Sequence, residues 1–208
     1  MRPIDKTAIK NPAAFLRPIN LEIFKIVTDY IEQARVKSVL DVGAGICLLN
    51  SILELEDDAA RFASDIRTDN LLEGREVLQK HGQSAHLVNN WAQRLPFKDD
   101  SFDCAAILTV FINIDDLNTV REVVSEMKRV VKPGGFAVFE YRNKYNVPLR
   151  IKHLLNRVVE KSLPITAFSP KQFSKILDEA GWKEELIIPV WSRIGILTPS
   201  YVVIARKQ

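Results

Sequence analysis

The sequence of 208 residues has few cysteines and no long apolar run. Its two cysteines, Cys47 and Cys104, are too few for a disulfide framework and have no metal-ligand spacing. We therefore predict no metal site and interpret both as small buried hydrophobic residues. No segment approaches the roughly 20 apolar residues of a membrane-spanning helix, and the basic start lacks the apolar block of a secretory signal. These absences predict a cytoplasmic protein.

Extremes of composition are absent as well. Apolar residues make up 47% of the chain and charged residues 26%, which argues against disordered and fibrous classes. Without internal repeats or low-complexity linkers, residues 1–208 are predicted to form one domain. The net charge of +3 conceals an asymmetry, because residues 132–208 hold 13 Lys and Arg against 6 Asp and Glu. A basic second part could favour an anionic substrate or surface, although a solvated basic face is the commoner explanation.

The most informative stretch is the apolar run from Val39 to Val42, which is followed by Gly43 and Gly45. Such a run fits a strand buried on both faces of a parallel sheet, and the glycines allow a tight turn beside a ligand. Asp65 comes 22 positions after the first glycine, where a second strand should end. A carboxylate there can accept both hydroxyls of a ribose. Glycine pairs also occur in turns that bind nothing, so the rest of the chain has to decide.

Strands and helices alternate along the chain. The patterns predict helices at Leu21–Ala34, Cys47–Leu55, Asp69–Lys80, Leu117–Val131 and Pro170–Ala180, and further strands at Phe62–Asp65, Ala85–Asn90, within Ser101–Val110, and at Phe136–Tyr141, Leu186–Val190 and Tyr201–Ala205. Alternation implies crossover connections, with ligands at the carboxyl ends of the strands. The last two strands have no helical pattern between them, so the final strand should run antiparallel beside its predecessor. The predicted fold class is α/β, a doubly wound, mostly parallel seven-stranded sheet with an antiparallel last strand.

Four blocks of sequence carry a resemblance to a known family. They are Leu40-Asp41-Val42-Gly43-Ala44-Gly45, Leu95-Pro96-Phe97 followed by Ser101-Phe102-Asp103, Met127 through Gly135, and Phe168-Ser169-Pro170 through Ala180-Gly181-Trp182. In their order and spacing they resemble the class I methyltransferases that use S-adenosylmethionine, in the small-molecule group called type 11. The resemblance covers roughly residues 36–207. It implies a Rossmann-like methyltransferase fold, S-adenosylmethionine as cofactor and methyl transfer as the activity.

The resemblance also implies which residues surround the cofactor. Asp41, Gly43, Ala44 and Gly45 match its amino-acid end, Asp65 its ribose, Ile66, Trp91 and Ala92 its adenine, and Leu108 the neighbourhood of its sulfonium. Alternative roles remain open at two of these positions. Asp41 could instead cap a turn, and Trp91 could belong to the core.

Three positions depart from the family pattern. Cys47 stands where many members have another glycine, Trp91 replaces a frequent acid, and Asn113 stands where many relatives carry a histidine. The first two could reshape the cofactor pocket, where backbone amides do most of the binding. The third puts an acid–base role in doubt, because an amide cannot take a proton near neutral pH, although it can orient a hydroxyl.

The sulfonium already makes the methyl group electrophilic, so the protein has mainly to align a nucleophile and exclude water. Asn113, Tyr141 and His153 are the candidate catalytic residues. Glu140 and Tyr145 join Tyr141 and His153 as candidate bases, and packing or surface roles are the alternative for these four. Residues 1–34 are predicted to form an N-terminal helical cap, and residues 142–168 a lid-like insertion. Within it, the basic amphipathic segment 149–161 could lie on an anionic membrane or simply pack on the domain. The expected acceptor is a small or lipid-linked molecule.

Three other functions were weighed against this one. A nicotinamide dehydrogenase would share the first strand, the turn and the ribose acid, but Leu48 occupies the third glycine position of that fingerprint. A nucleic-acid methyltransferase would need an Asn/Asp-Pro-Pro-aromatic motif, which Thr109–Asn113 does not supply, so no nucleic-acid partner is expected. A catalytically silent cofactor-binding subunit remains an alternative because of Cys47 and Asn113.

Overall fold

The computed structural model describes residues 16–148, 151 and 166–208. The chain order of its elements is α1 (Pro18–Gln33), β1 (Ser38–Val42), α2 (Leu48–Ile52), β2 (Ala60–Asp65), α3 (Thr68–Lys80), β3 (His86–Asn89), β4 (Phe102–Ile107), a 3-10 turn (Phe111–Asn113), α4 (Leu117–Val130), β5 (Val131–Arg142), α5 (Pro170–Glu179), β6 (Trp182–Pro189), a second 3-10 turn (Gly195–Leu197) and β7 (Ser200–Lys207). In the described ranges no helix is both long and apolar enough to cross a bilayer. Residues 1–15 of the predicted N-terminal cap lie outside these ranges.

The strands form one seven-stranded sheet in the order β3-β2-β1-β4-β5-β7-β6. Strand β1 is central and pairs in parallel with both neighbours, so that Leu40 lies opposite Phe62 on one side and Ala105 on the other. Strand β7 lies between β5 and β6 and is antiparallel to both. The predicted parallel sheet with an antiparallel last strand is therefore confirmed.

Helices cover both faces of the sheet because each presents an apolar stripe to it. In α4 the predicted inward residues are all buried, namely Val120, Val123, Val124, Met127 and Val130, with Val131 following them. Asp116 begins this helix by accepting hydrogen bonds from the backbone N–H groups of Asn118 and Thr119. Helix α1 packs on the opposite face, where Ile23, Val27 and Ile31 are fully buried.

Several element boundaries differ from the sequence prediction. Strand β5 begins at Val131 rather than Phe136, because Val131 already pairs with Phe102 before a shift in register. Strand β6 begins at Trp182 rather than Leu186. Helix α2 is shorter than predicted, since Cys47 precedes it with a left-handed φ of 57° and Leu53 is extended.

Two of the sequence blocks prove to be parts of the scaffold. Arg129 donates hydrogen bonds to the carbonyl oxygens of Leu95 (3.0 Å) and Phe97 (2.7 Å), which ties α4 to the loop before β4. Asp103 accepts from the backbone N–H of Ser38 at 2.8 Å and so joins the amino ends of β4 and β1. These contacts fix the strands relative to one another and leave their carboxyl ends free for a site.

Candidate functional site

Four strand ends come together at one edge of the sheet. The glycine turn follows β1, Asp65 ends β2, Asn90 follows β3, and Thr109 lies just beyond β4. Strand order reverses direction between β1 and β4, and ligands of open α/β sheets bind outside the carboxyl ends at such a point. The predicted cofactor residues thus lie along the edge where a ligand is expected.

The glycine turn needs its glycines. Gly43 has a φ of +70° and Gly45 a φ of +53°, a backbone region that glycine enters without steric cost. A Cβ added to Gly43 would lie 2.3 Å from Cγ2 of Val110, which reaches over the turn from the loop after β4. A side chain at Gly43 would therefore displace the wall of the site.

Asp65 joins the turn to the second strand. It is 8% exposed, and its Oδ2 accepts a hydrogen bond from the backbone N–H of Gly45 at 2.8 Å. Its Oδ1 accepts from the backbone N–H of Arg67, also at 2.8 Å. The side-chain amide of Asn70 also donates to Oδ1, at 3.5 Å. A carboxylate offers about four acceptor positions, so capacity remains for an outside donor such as a hydroxyl group. The bond to Gly45 was not predicted from the sequence.

Asp41 lies at the same edge but is buried without a partner. Its side chain is 4% exposed, and no donor among the described residues reaches its carboxyl oxygens. Burial, reinforced by the negative charge of Asp65, raises the pKa of Asp41 to about 8. A buried acid with an unmet demand for a partner is suited to receive a cationic group.

Cys47 fits into the turn because of a glycine on another helix. A Cβ added to Gly74 of α3 would lie 2.6 Å from Sγ of Cys47. The thiol therefore packs directly against Gly74, and a side chain at position 74 would clash with it. Burial raises the pKa of the Cys47 thiol, which keeps it protonated and unreactive. The predictions that Cys47 and Cys104 are buried are confirmed.

The side chains expected at an adenine flank Asp65. Ile66 is 49% exposed and Trp91 is 63% exposed, so neither belongs to the core. Ala92 is half-buried and packs against it. Between them, Asn90 donates a backbone hydrogen bond to the carbonyl oxygen of Asp65 at 3.1 Å, while its buried Oδ1 has no partner among the described residues. Asn90 was not among the predicted site residues, although an amide at the end of the third predicted strand is a signal of its own.

The loop after β4 is fixed by packing against the core and by a hydrogen bond to Glu140. Leu108 is 5% exposed and its side chain packs in the core beneath the site. Thr109 has a φ of 58°, an outlier for a β-branched residue, and its N–H donates to Oε2 of Glu140 at 2.9 Å. Asn113 is exposed, and its side-chain amide donates to the Thr109 carbonyl oxygen at 3.3 Å. Glu140 therefore fixes the backbone that carries Asn113.

Glu140 itself is part of a buried polar network. It is 1% exposed, accepts a hydrogen bond from the Ser200 hydroxyl, and lies 3.6 Å from Nε of Arg142. Arg142 in turn donates to Oδ1 of Asn20 at 3.3 Å. The network links β5, β7 and α1 to the loop after β4.

Tyr141 lies inside the core rather than facing the cleft. It is 1% exposed, and its ring stacks on Phe173 with centroids 4.3 Å apart. Burial also raises the pKa of its hydroxyl. Both features argue against a proton-transfer role and favour packing. His153, the third candidate, lies outside the described residues.

The predicted insertion 142–168 begins and ends at one place. Asn143 and Phe168 form a parallel bridge, and the N–H of Lys144 donates to the Phe168 carbonyl oxygen at 2.9 Å. The segment between these residues thus leaves and rejoins the carboxyl edge of the sheet. The amphipathic segment 149–161 lies outside the described residues apart from Ile151.

Comparison with known proteins adds to this geometry. A family model described as a methyltransferase domain matches residues 40–139, from within β1 to near the end of β5. The residues after 139 lie outside the match.

Two curated relatives are demethylmenaquinone methyltransferases. The protein from Staphylococcus haemolyticus is 30% identical over 118 residues, which are 57% of this chain and 46% of that protein. The protein from Listeria monocytogenes serotype 4a is 32% identical over 151 residues, 71% of this chain and 61% of that protein. This chain thus matches only about half of the length of such relatives.

The fold also matches solved structures. Magnesium protoporphyrin IX methyltransferase from Synechocystis PCC 6803, solved with bound SAH, superposes with a TM-score of 0.77 at 14% identity. The superposition covers 96% of this chain and 89% of that one. At this identity the likeness establishes a common fold.

Proposed function

We propose that this chain is a class I, type 11 methyltransferase, since a methyltransferase-domain model matches its residues 40–139. It would bind S-adenosylmethionine and methylate a small-molecule or lipid-linked acceptor. The observation that carries the proposal is the pairing of a buried, partnerless carboxyl with a bare glycine turn. Asp41 is 4% exposed, and Gly43 has no room for a Cβ beneath Val110. The buried carboxyl suits a ligand with a cationic end, and the turn brings backbone rather than side chains beside it.

The residues present fit three polar groups of this cofactor, namely its ammonium, its ribose hydroxyls and its adenine amino group. Its ammonium would give Asp41 the charged partner that the free protein lacks, and the backbone of Gly43, Ala44 and Gly45 would surround the same end. Its ribose hydroxyls would use the free acceptor positions of Asp65. Its adenine would lie between Ile66 and Trp91, where Oδ1 of Asn90 can accept from an amino group.

When bound, S-adenosylmethionine supplies a methyl group made electrophilic by its sulfonium. The chain's own task is then to hold the acceptor in line and to exclude water. Asn113, which stands at the edge of the loop after β4, would orient an acceptor hydroxyl through its amide. Leu108 would contribute the apolar floor of that loop. Tyr141 would support the floor from the core, and His153 remains a prediction.

The acceptor is proposed to be a small or lipid-linked molecule. The curated relatives carry the name of a quinone substrate, demethylmenaquinone, which supports this class without identifying the acceptor here. The predicted insertion 142–168 would cover the acceptor, since both its ends lie at the carboxyl edge.

Calorimetric titration with S-adenosylmethionine and S-adenosylhomocysteine tests the proposal. Micromolar binding is expected, and Asp65→Ala should weaken it at least about tenfold through lost charge-assisted hydrogen bonds. Absence of binding to both ligands would overturn the cofactor assignment. Binding without transfer to any acceptor in a broad panel would support the silent-subunit alternative.

Two controls separate ribose binding from turn stability. Asp65→Asn keeps an oxygen for the Gly45 amide and loses the acceptor for the Arg67 N–H. It should therefore be more stable than Asp65→Ala in urea while also binding the ligand more weakly than the wild type. Asp69→Ala removes an exposed carboxylate, paired with Arg67, from the same helix start. That variant should bind both ligands like the wild type.

A further inference from the structure

The loop between β6 and β7 exposes an apolar surface. Within residues 190–199 the exposed fractions of the large apolar side chains are 60% for Trp191, 61% for Ile194, 56% for Ile196 and 46% for Leu197. Tyr145, in the turn after β5, is 53% exposed and adds to this set. We call these five side chains the apolar loop surface.

Buried hydrogen bonds hold the loop in this shape. The side-chain amide of Asn143 donates to the carbonyl oxygens of Gly195 (2.7 Å) and Thr198 (2.8 Å). Asn143 is 2% exposed, and Thr198 is fully buried with its hydroxyl 3.2 Å from the Ile194 carbonyl oxygen. The apolar side chains thus stand on a fixed base and do not project from a fraying end.

The first residue of the surface has a costly backbone conformation. Trp191 has a φ of 64°, a region that bulky side chains rarely enter. Strain of this kind persists where the surrounding structure enforces it, and it clusters at functional sites. Here it accompanies an indole that gains little burial, so packing does not explain it.

The two chain segments that carry the apolar loop surface contain basic residues and no acidic ones. The loop 190–199 has one charged residue, Arg193, and the segment 141–148 has two, Arg142 and Lys144. Arg193 and Lys144 are exposed. A surface with this composition is complementary to an anionic one.

The surface lies at the same edge of the sheet as the glycine turn. Strands β5 and β6 are both antiparallel to β7, so β6 runs parallel to β5 and ends at the carboxyl edge. Three strand spacings separate β6 from β4, which is a distance of about 15 Å.

We propose that the apolar loop surface docks on an anionic lipid bilayer and inserts its indole and aliphatic side chains among the headgroups. Tryptophan favours the membrane interface, and apolar side chains beside Lys and Arg bind there through burial and attraction to anionic lipid. Docking would turn the carboxyl edge of the sheet toward the lipid. The inference concerns where the protein works and is independent of methyl transfer.

Vesicle sedimentation of the full chain tests the proposal. The protein should sediment with phosphatidylglycerol-containing vesicles, more weakly at high salt, and the double variant Trp191→Ser/Ile194→Ser should lose at least about tenfold in affinity. Leu72→Ser is the matched control, because Leu72 is 54% exposed on α3, away from the loop, and should sediment like the wild type. No sedimentation, or equal binding by the double variant, would overturn the proposal.

Fluorescence quenching by brominated lipids identifies the inserted residue. Quenching should disappear in Trp191→Phe and persist in Trp91→Phe, while Trp182 is 4% exposed and out of reach. A sedimentation-velocity mass of two chains that Ile194→Ser halves would instead assign the surface to a dimer contact and overturn the proposal. Calorimetry with S-adenosylhomocysteine on Trp191→Ser/Ile194→Ser and on Trp191→Phe should be unchanged, so failure of docking and failure of cofactor binding are distinguishable.

Discussion

The substitution Asp41→Asn should stabilise the free protein and abolish tight cofactor binding. In the folded state burial raises the pKa of Asp41 to about 8, from an ordinary value of 3.8. Between these values the folded chain keeps a proton that the unfolded chain releases. The contribution of Asp41 to the free energy of unfolding is therefore greatest below pH 3.8, falls as the pH rises toward 8, and levels off above it.

The size of the effect follows from the same two values. At pH 7 the raised pKa of Asp41 lowers the free energy of unfolding by about 4 kcal/mol relative to pH values below 3.8, at 1.36 kcal/mol for each pH unit. An uncharged asparagine does not carry this penalty. We expect Asp41→Asn to raise the free energy of unfolding at pH 7 by about 1 to 4 kcal/mol and to flatten its pH dependence.

Cofactor binding should respond in the opposite direction. A cationic ammonium beside Asp41 favours the ionised carboxyl, so binding near pH 7 should release close to one proton. Calorimetry in two buffers of different ionisation enthalpy counts that proton. The Asn variant should release none and should bind at least about 100-fold more weakly, as expected when a buried ion pair loses one partner.

Urea denaturation between pH 5 and pH 8 and proton counting together decide this prediction. Asp69→Asn changes an exposed carboxylate whose pKa is lowered. This variant should leave the pH dependence of the free energy of unfolding between pH 5 and pH 8 unchanged. An Asp41→Asn variant that is less stable at pH 7, or a wild type whose binding releases no proton, would refute the reasoning.

Three further predictions concern the walls of the site. Glu140→Ala should lower the free energy of unfolding, measured in urea, by about 3 to 5 kcal/mol, because it leaves the buried Arg142 guanidinium without its carboxylate partner. Glu140→Gln should lower it by only about 1 to 2 kcal/mol. Gly74→Ala should cost about 1 to 3 kcal/mol by clashing with Cys47, and a double-mutant cycle should show Cys47→Gly recovering at least half. Asn90→Ala should weaken S-adenosylhomocysteine binding about tenfold by calorimetry while changing stability by less than about 1 kcal/mol. Equal costs for both Glu140 variants would contradict the first prediction. Additive costs in the Gly74/Cys47 cycle would contradict the second, and unchanged ligand binding by Asn90→Ala the third.

The sheet was predictable because its signals are local. The run from Val39 to Val42 can be buried on both faces only in a covered sheet, and the stripe of α4 has one helical period. The antiparallel last strand followed from the lack of a helix before Tyr201. What remained hidden was the place of β7 between β5 and β6, since pairing partners depend on contacts far apart in sequence.

The site was only partly predictable for a related reason. Asp41 and Asp65 stand beside recognisable motifs, so their place at the edge could be expected. That Asp65 holds the Gly45 amide, and that Glu140 holds Thr109, are contacts across 20 and 31 positions that no local pattern encodes. Tyr141 was a candidate for the cleft with packing as its alternative, and alternation along a strand does not decide between these roles.

The departure at Cys47 is explained by an exchange of side-chain volume between two elements. The sequence placed a thiol where many family members have glycine, and the structure places Gly74 against that thiol, 27 positions later. Each of these two residues is unfavourable alone, because a left-handed Cys is strained and a glycine inside a helix costs up to about 1 kcal/mol. The Cys47 thiol thus occupies the space that the missing side chain of Gly74 leaves beside the turn.

Backbone strain in this protein gathers where a ligand would bind. The described non-glycine residues with positive φ are Arg35, Cys47, Asp100, Thr109 and Trp191. Arg35 and Asp100 lie in turns that precede β1 and β4, where an isolated left-handed residue simply reverses the chain. The other three all lie at the carboxyl edge, and none is a glycine, asparagine or aspartate that would relieve the strain. Each is enforced by neighbours: Gly74 beside Cys47, Glu140 beneath Thr109, and Asn143 within the loop that carries Trp191. Stability has thus been given up along one edge of the sheet, which is the pattern expected when shape there serves binding.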